Sequence, residues 1–389
     1  MQKSLKEIDL KGFLEFKTLY YDKIDFSTVE NSWECLKSHI KLPYVIHIVG
    51  TNGKGSTGRC LAHYLYKKDF KVVHYSSPHI KKFNERVWLN GDNVSDELLE
   101  NTHKKIQKIL NIQLLEKLTY FEYTTLLALY ISSECDYIIL EAGLGGEFDA
   151  TNVVENSLSL ITTIDFDHQS FLGNSIEEIA QTKMRACDKQ MIVGYQIHEN
   201  VKKTAFKVQE QLNKEFNKQI KVDFVEEFNK YSFNVDFPRY LIKNLHLVVS
   251  CLKFLNIDID LKLFDDVQLK GRCEKIASNI TIDVGHNPLA ARALKEHFKN
   301  KKITLIYNSY KDKDYKEVLK ILKPIINEII IIELDDKRIV DKNNLLEICK
   351  DYNIMTSFNL ELKKSKEYLV FGSFLVVEKF LDFIGIDEK

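Results

Sequence analysis

The segment 50–57 brings three glycines, one lysine and three hydroxyl side chains together. An apolar strand is predicted to end at Val49 and a helix to begin at about Lys54. Glycines let backbone N–H groups turn inward around phosphate oxygens, and the N-terminus of a helix adds partial positive charge. Lys54 would neutralise the outer phosphates, while Ser56 or Thr57 would offer a hydroxyl to the phosphates or to Mg²⁺. The segment therefore predicts a nucleotide phosphate site, as opposed to a glycine turn that only caps a helix.

Two further apolar runs end in groups that could bind a metal ion. Glu141 closes a predicted buried strand, and Asp165, Asp167 and His168 follow the next one. Carboxylates at the carboxyl ends of parallel strands, beside a phosphate loop, suit Mg²⁺, which prefers oxygen ligands. A glutamate in such a position is otherwise more often a helix cap or part of a solvated edge. His168 is an unusual Mg²⁺ ligand and could equally orient a carboxylate or a substrate.

The remaining candidates are weaker as single signals. Asp283 ends a predicted strand before Asn287 and Pro288, which suit the cap and first turn of a helix. Its carboxylate could bind a ribose hydroxyl or an incoming amine, although such a junction is more often structural. Arg272 would place a guanidinium where it could reach phosphates. Lys183 lies in a predicted helix, and its spacing alone is typical of a solvated face.

Short apolar runs that alternate with helical periods must position these residues. The predicted strands are 44–49, 71–75, 137–141, 158–164, 191–194, 280–283, 303–307, 328–334 and 368–372, with a hairpin at 86–95. The predicted helices are 54–70, 121–133, 175–185, 241–255, 288–299, 315–321, 342–349 and one from Ser373. The alternation favours βαβ units and an α/β fold with a mainly parallel sheet flanked by helices. A second alternation begins near Lys270, so two domains are predicted, at 1–268 and 269–389.

The composition argues against several classes of protein. The chain has 389 residues, too many for one ordinary domain, and 44% are apolar, too many for a disordered chain. A formal net charge of −1 provides no global attraction to nucleic acid or to an anionic membrane. The seven scattered cysteines contain no Cys-x-x-Cys pair and predict reduced thiols in a cytoplasmic protein. We expect no signal peptide, because no long apolar run follows the charged start, and no membrane span, because no run of about 18 or more apolar residues occurs.

Taken in order, these segments resemble the folylpolyglutamate synthase and dihydrofolate synthase family of the Mur ligase superfamily. The matching stretches span nearly the whole chain and are 47–57, 76–91, 118–129, 140–154, 162–183, 283–288 and 312–314. The resemblance implies a P-loop-type ATP-binding domain and a smaller Rossmann-like α/β domain, with the active site in the cleft between them. It also implies a monomeric ligase of folate biosynthesis and one-carbon metabolism, which uses ATP and Mg²⁺.

The implied reaction joins L-glutamate to the carboxylate of dihydropteroate, of (tetrahydro)folate, or of both. ATP phosphorylates the carboxylate, and the amine of glutamate then attacks the acyl phosphate to form an amide. A carboxylate is a poor electrophile, so phosphorylation supplies the leaving group, and Mg²⁺ with Lys54 would stabilise charge on the transferred phosphoryl group. The preferred carboxylate and the number of glutamates added stay open.

The family's roles carry over to matching positions of this chain. The positions that match ATP contacts are Gly50, Thr51, Asn52, Gly53, Lys54, Gly55, Ser56, Thr57, Asn244, Arg272 and Asp283. The positions that match metal ligands are Ser77, Glu141 and His168, and those that match catalytic groups are Lys54, His168, Lys183 and His286. Lys183 matches a lysine that the family carries as a carbamate, which would turn a repelled cation into an anion beside Mg²⁺. His286 is expected to line the amine or nucleotide site.

The match to the family's pterin site is looser. The expected substrate contacts are Asp25, Phe26, Leu118, Thr119, Phe148 and Asp149, with Ile24 beside the first two. Tyr120 and Phe121 could stack on a flat ring, but aromatic residues at helical spacing are more often part of a core.

The chain also departs from expected patterns. Its phosphate loop is shorter than the common G-x-x-x-x-G-K-[ST], with Gly55 between the lysine and the hydroxyl groups. Glu147 stands where the family usually has arginine, and Met-Arg-Ala at 184–186 stands where it usually has Ala-Gly-Ile. These departures leave the ATP chemistry intact and bear on the choice of substrate.

Two other classes of protein share parts of this pattern. A cell-wall Mur ligase performs the same chemistry on a UDP-sugar peptide, but it would be expected to carry a UDP-binding domain before the phosphate loop, and 46 residues precede His47. A nucleotide-dependent switch that binds GTP would be expected to show an Asn-Lys-x-Asp motif, which the sequence lacks. The sequence therefore favours the folate-ligase family over both.

Overall fold

Strands and helices alternate through the computed structural model, which describes residues 5–18, 25–225 and 227–386. The strands are β1 (Tyr44–Val49), β2 (Val72–Tyr75), β3 (Val87–Leu89), β4 (Asp92–Asn93), β5 (Tyr137–Glu141), β6 (Leu158–Ile161), β7 (Gln190–Val193), β8 (Lys221–Phe224), β9 (Glu274–Ala277), β10 (Ile280–Asp283), β11 (Ile303–Tyr307), β12 (Ile326–Ile331), β13 (Met355–Ser357) and β14 (Tyr368–Phe371). The helices are α1 (Leu10–Glu15), α2 (Ser27–Leu36), α3 (Lys54–Lys67), α4 (Asp96–Ile109), α5 (Ile112–Lys117), α6 (Tyr120–Ile131), α7 (Gln169–Leu172), α8 (Ile176–Met184), α9 (Asn200–Phe216), α10 (Arg239–Phe254), α11 (Pro288–His297), α12 (Tyr315–Leu322), α13 (Lys342–Asp351) and α14 (Phe374–Phe383).

The chain folds into two compact units. The first comprises Met1–Ser77, Phe83–Asn234 and Lys243–Val267, and the second comprises Pro78–Lys82, Val235–Ile242 and Gln268–Lys389. The predicted domain limits, 1–268 and 269–389, make no allowance for the two short segments at 78–82 and 235–242.

The first unit is built on a sheet with the strand order β4-β3-β2-β5-β1-β6-β7-β8. β1 pairs in parallel with β5 on one side and with β6 on the other, while the pairs β2–β3 and β3–β4 are antiparallel. In this register Ile48 lies beside both Glu141 and Leu160, and Val49 lies beside Ile161. The carboxyl ends of β5, β1 and β6 therefore meet at one edge of the sheet.

Apolar residues on both faces of β1 explain its central place. Burial is continuous from Val45 to Val49, as expected for a parallel strand covered by helices on both sides. Val45 belongs to an apolar cluster with Leu126 of α6, and Val49 belongs to another with Ile179 of α8. Each such buried side chain contributes about 1.5–3 kcal/mol relative to an exposed one. Helices on both faces thus hold the strand that leads into the phosphate loop.

The second unit has a sheet of its own, in the order β13-β12-β11-β14-β10-β9. β9 and β10 are antiparallel, and the other neighbouring strands are parallel. Leu305 and Phe371 belong to a cluster with α11, α12 and α13, whereas Ile306 and Val370 belong to a cluster with α14. Helices therefore cover both faces of this sheet as well.

Several predicted elements are confirmed in position. β1, β5, β10 and β11 have the predicted limits, and each is a short run rich in apolar residues. The predicted hairpin is formed by β3 and β4, with Asn90 and Gly91 at φ values of 47° and 108°. β6 ends at Ile161, three residues before its predicted end at 164. Beyond Ile161 the carbonyl of Thr163 accepts hydrogen bonds from the loop that follows β1.

Other elements are not among those predicted. β8 and β13 are edge strands, and their residues are partly or fully exposed, so they lack the continuous apolar run that marks a buried strand. The sequence pattern likewise does not predict β9 or the helices α1, α2, α4, α5, α7 and α9. None of the described helices is both long and apolar enough to span a membrane.

The seven cysteines are free thiols, as predicted. Burial raises the pKa of Cys60 and of Cys187 to about 12, so both stay protonated and unreactive near neutral pH. Their contribution is therefore to packing.

Helix α6 begins with a capping box that fixes the chain on either side of Thr119. The Thr119 hydroxyl accepts a hydrogen bond from the Glu122 N–H at 3.3 Å, and the Glu122 carboxylate accepts one from the Thr119 N–H at 2.8 Å. Leu118, directly before the cap, is buried in the core of the first unit. Leu118 and Thr119, both expected to contact substrate, therefore have structural roles.

The capping box predicts a measurable loss of stability on truncation. Thr119→Ala should lower the free energy of unfolding by about 1 kcal/mol, because the cap oxygen is lost. Thr119→Ser keeps the hydroxyl and serves as the control. Urea unfolding followed by circular dichroism would measure both, and an Ala variant as stable as the wild type would show that the cap contributes nothing.

Candidate active site

The predicted phosphate loop joins β1 to α3 and turns at two glycines. Gly50 has a φ of +151° and Gly53 a φ of +95°, in the region that favours glycine. A Cβ at Gly50 would lie 1.9 Å from the hydroxyl of Thr162, and one at Gly53 would lie 2.9 Å from the side-chain amide of Asn244. Glycine is therefore required at both turns, which close against neighbouring segments of the same unit.

The N-terminus of α3 offers backbone donors to an anion. The first helical hydrogen bond runs from the Thr57 N–H to the Gly53 carbonyl at 2.9 Å. The N–H groups of Lys54, Gly55 and Ser56 precede that bond, so they are the donors that a helix start presents to phosphate oxygens.

Side chains of the loop add further polar groups. The Lys54 Nζ lies 3.2 Å from the Gly50 carbonyl oxygen, and the Asn244 amide donates to the Ser56 hydroxyl at 2.9 Å. The Thr57 hydroxyl is buried and has no hydrogen-bond partner among the described residues. A lysine, helix-start donors and a buried unpaired hydroxyl together suit a nucleotide triphosphate.

The segment after β6 holds the loop in shape. The Thr51 and Asn52 N–H groups donate to the Thr163 carbonyl at 2.9 and 3.2 Å, and the Thr51 hydroxyl donates to the Asp165 carbonyl at 2.9 Å. The His198 Nε2 lies 3.0 Å from the Asp165 carboxylate. The sequence pattern does not predict His198, although this polar residue follows β7, the strand beside β6, much as Asp165 follows β6.

The predicted metal ligands follow three strands that end at this edge. Glu141 is the buried last residue of β5, and Ser77 lies two residues after β2, the strand beside β5. His168 follows β6, at φ +48°, as the N-cap of α7, with its Nε2 3.8 Å from the Asp167 carboxylate. The described residues include no cluster of three His, Cys, Asp or Glu side chains placed to hold a metal ion. A hydroxyl and a carboxylate oxygen nevertheless suit Mg²⁺ chemically, so the ligand set stays a prediction.

Lys183 is a buried residue of α8 and not part of a solvated face. It is 5% exposed. Burial lowers its pKa to about 7, with Lys54 adding to the effect and Asp167 and Asp149 opposing it. A substantial fraction of the amine is therefore uncharged, and so nucleophilic, at neutral pH.

Asp149 anchors the glycine-rich segment that follows β5. Its carboxylate accepts hydrogen bonds from the Leu144 N–H at 2.7 Å and from the Thr151 N–H at 3.0 Å. The Thr151 hydroxyl also donates to Asp149 and lies 2.8 Å from the Nε2 of His47 on β1. Burial raises the pKa of Asp149. This residue, expected to contact substrate, is thus a buried scaffold group.

The remaining expected pterin contacts differ in exposure. The Phe148 side chain is 56% exposed, and its ring lies 6.4 Å from that of Phe26 in an edge-on arrangement. The Asp25 carboxylate accepts hydrogen bonds from the N–H and hydroxyl of Ser27, at the start of α2. Ile24 lies outside the described residues. Phe148 is therefore the expected contact most available to a flat ring.

Tyr120 and Phe121 behave as core residues. Both are partly buried against the main apolar cluster of the first unit. The Phe121 ring lies 5.8 Å from that of Tyr75, and the Arg86 guanidinium lies 5.0 Å from the centre of the Tyr120 ring.

In the second unit, Asp283 ends β10 and holds the turns around it. Its carboxylate accepts hydrogen bonds from the Cys273 N–H at 2.9 Å, the Tyr240 hydroxyl at 3.0 Å and the Gly285 N–H at 2.8 Å. Burial raises its pKa, and the nearby Arg272 opposes the shift. Asp283 thus has a structural role within its own unit, which was one of the alternatives open from sequence.

The junction after Asp283 forms as predicted. Asn287 caps α11 by accepting a hydrogen bond from the Ala290 N–H at 3.0 Å, and Pro288 occupies the first turn. His286 directly precedes this cap. Arg272, the other candidate of this unit, has its guanidinium 5.3 Å from the centre of the Phe374 ring.

Comparison with known proteins decides the family. The chain is 32% identical, over 424 aligned positions, to the dihydrofolate synthase/folylpolyglutamate synthase of Haemophilus influenzae, covering 93% of this chain and 95% of that protein. The chain belongs to the dihydrofolate synthase/folylpolyglutamate synthase family. The Escherichia coli member is 30% identical over 329 aligned positions, covering 78% of this chain and 76% of that protein. No family model matches the chain.

Solved structures of the dihydrofolate synthase/folylpolyglutamate synthase family share the fold of this chain. The crystal structure of Helicobacter pylori folylpolyglutamate synthetase has a TM-score of 0.77 at 39% identity and covers 97% of this chain and 98% of its own. Escherichia coli FolC in complex with DHPP and ADP has a TM-score of 0.82 at 25% identity, with 98% of each chain covered. The predicted family and fold class are therefore confirmed, and the cell-wall ligase and the nucleotide switch are set aside.

Two departures from the pattern of this family lie against each other. The Nε of Arg185 donates to the carboxylate of Glu147 at 2.8 Å. The resemblance leads us to expect arginine at 147 and glycine at 185, so each departure is visible in the sequence but their pairing is not. A contact between segments so far apart in sequence has no local signal.

The buried amine of Lys183 predicts a pH-dependent stability. In the folded protein it loses its proton near pH 7, whereas an unfolded lysine keeps it to about pH 10.5. Between these values the unfolded chain binds more protons, so Lys183 makes the free energy of unfolding rise with pH, by up to about 1.4 kcal/mol per pH unit. Lys183→Met should remove this rise.

Urea unfolding in carbon-dioxide-free buffer, at about pH 7.5 and about pH 9.5, would measure the difference. Lys203→Met, at an exposed position of α9, is the matched control and should keep the wild-type slope. An unchanged slope in Lys183→Met would contradict a buried, uncharged amine.

Proposed function

We propose that this protein joins L-glutamate to the carboxylate of dihydropteroate, of (tetrahydro)folate, or of both, through an acyl phosphate. It is an ATP-dependent ligase that forms a C–N amide bond, as its family membership entails. The observation that carries the proposal is the glycine loop between β1 and α3, with its helix-start donors and Lys54, in a chain that covers 95% of a dihydrofolate synthase/folylpolyglutamate synthase.

The first step requires transfer of a phosphoryl group to a carboxylate oxygen. The N–H groups at the start of α3 would hold the phosphates, and the Lys54 ammonium would neutralise charge as the bond to the leaving ADP breaks. When bound, Mg²⁺ would supply charge neutralisation at the transferred group, and we assign its ligands as Ser77, Glu141 and His168. ATP and a divalent metal are thus the cofactors of this reaction.

In the second step the glutamate amine attacks the acyl carbon and phosphate leaves. Holding an amine and an acyl phosphate in the correct geometry can contribute on the order of 7–11 kcal/mol to the rate. We assign Asn244, Arg272 and Asp283 to ATP, and His286 to the nucleotide or the amine. We also propose that the protein works as a monomer in the cytoplasm.

We propose further that Lys183 is carbamylated. Its uncharged amine would attack the carbon of CO₂, forming an N–C bond and releasing a proton to solvent. The lowered pKa supports this step, because a protonated amine has no lone pair for the attack. The product is an anion, which would complement Lys54 and the metal instead of repelling them.

The proposed activity predicts a defined product. Purified protein with ATP, Mg²⁺, glutamate and either dihydropteroate or tetrahydrofolate should release phosphate and form a product one glutamate heavier, detected by mass spectrometry. Lys54→Ala should abolish turnover with the fold intact, while Lys67→Ala, at an exposed position of the same helix, should not. Absence of product from both carboxylates would refute the proposed function.

Carbamylation predicts chemical rescue. Lys183→Ala should lose activity, and short carboxylic acids should partly restore it by placing a carboxylate in the space left by the side chain. Lys203→Ala, at an exposed position, should gain nothing from the same acids. Full activity of Lys183→Ala in the absence of any carboxylic acid would contradict the carbamate assignment.

A further inference from the structure

An ion pair fastens the glycine-rich segment 143–149 to the end of α8. The Nε of Arg185, the residue that directly follows α8, donates to the Glu147 carboxylate at 2.8 Å. The two side chains are 18% and 25% exposed, so water screens the pair less than it would screen a pair on an open surface. Glu147 also raises the pKa of Arg185.

Backbone contacts surround this pair. The Glu147 N–H donates to the Thr182 carbonyl at 3.0 Å, and the Asn152 amide donates to the Glu147 carbonyl at 2.9 Å. A Cβ at Gly146 would lie 2.5 Å from the carbonyl oxygen of Lys183, so the two segments touch at their backbones. The pair therefore belongs to a continuous docking surface between the segment and the helix.

The residues on the two sides of this surface are chemically different. On the helix, Lys183 lies two residues before Arg185 and is buried. On the segment, Phe148 directly follows Glu147, and its exposed ring lies edge-on to that of Phe26. A shift of the segment along the helix would therefore move an exposed aromatic ring relative to a buried amine.

We propose that Glu147 and Arg185 are positioning residues that fix Phe148 relative to Lys183. They thereby determine how the ring of the pteroate or folate substrate is held while its carboxylate is phosphorylated. The inference rests on the proposed function and adds a determinant of substrate binding to it.

The KM of ATP, which depends on the phosphate loop, provides an internal reference for the effect of this ion pair. Glu147 and Arg185 contact α8, Asn152 and the end of α9, all of which lie outside 50–57. Loss of the pair should therefore alter the KM of the carboxylate substrate and leave the KM of ATP unchanged. General destabilisation would alter both together.

Arg185 also offers a matched control on its other side. Its Nη1 lies 3.5 Å from the carboxylate of Glu215, which belongs to the last turn of α9 and whose side chain is 49% exposed. Glu215→Gln removes an acidic partner of the same arginine without changing any residue of the segment 143–149.

The experiment measures steady-state kinetics with the carboxylate that the wild type uses. Glu147→Gln should raise the KM of that substrate about three- to tenfold and lower kcat, with the KM of ATP within about twofold of wild type. Glu215→Gln should match wild type. The charge-swapped double variant Glu147→Arg with Arg185→Glu should recover most of the lost substrate affinity.

Each outcome has one meaning. A wild type that forms no product refutes the proposed function, whereas an active wild type with Glu147→Gln equal to Glu215→Gln refutes the positioning role alone. A rise in both KM values, or a double variant that regains melting temperature without regaining substrate affinity, also overturns it. If Glu147→Gln does not fold, Arg185→Lys keeps the charge but loses the Nε donor, and it should show the same split between the two KM values.

Discussion

The parallel pairing of β1 with β5 and β6 determines what the rest of the first unit can present. Because Ile48 lies beside Glu141 and Val49 beside Ile161, the segments after β5 and β6 leave the sheet one strand spacing to either side of the phosphate loop. The segments after β1 and β5 are rich in glycine, and the segment after β6 carries Asp165, Asp167 and His168. Apolar clusters on both faces of β1 hold the strand in the interior of the unit.

Burial of charged groups is the second constraint, and it acts differently on different residues. The Asp149 and Asp283 carboxylates are buried, but each receives several hydrogen bonds from its own unit. Lys183 is buried beside another lysine, and its pKa falls. The fold therefore stabilises its buried anions by local hydrogen bonds, whereas burial and the neighbouring lysine disfavour the charged form of the Lys183 amine.

Much of this arrangement could be predicted from sequence, because strands such as β1 and β5 are short, mostly apolar runs. Contacts between segments that are distant in sequence could not be predicted in this way. Nothing local to Glu147 or Arg185 indicates that they pair, and Thr119 matched a substrate position while its hydroxyl caps a helix. His198 follows a strand end, as Asp165 does, but whether the two side chains meet depends on which strands are neighbours. Sheet order, which is a property of the whole fold, carries that information.

The chain of hydrogen bonds from Asp149 through Thr151 to His47 also has a direction. Backbone N–H groups reach both oxygens of Asp149, so its carboxylate accepts the single hydroxyl proton of Thr151. Thr151 can then only accept from His47, which fixes the hydrogen of the neutral imidazole on Nε2. Burial lowers the pKa of His47 to about 4, so the tautomer stays the same across the neutral range. The His47 side chain, on the strand that enters the phosphate loop, thus stays uncharged and keeps one hydrogen-bonding pattern throughout that range.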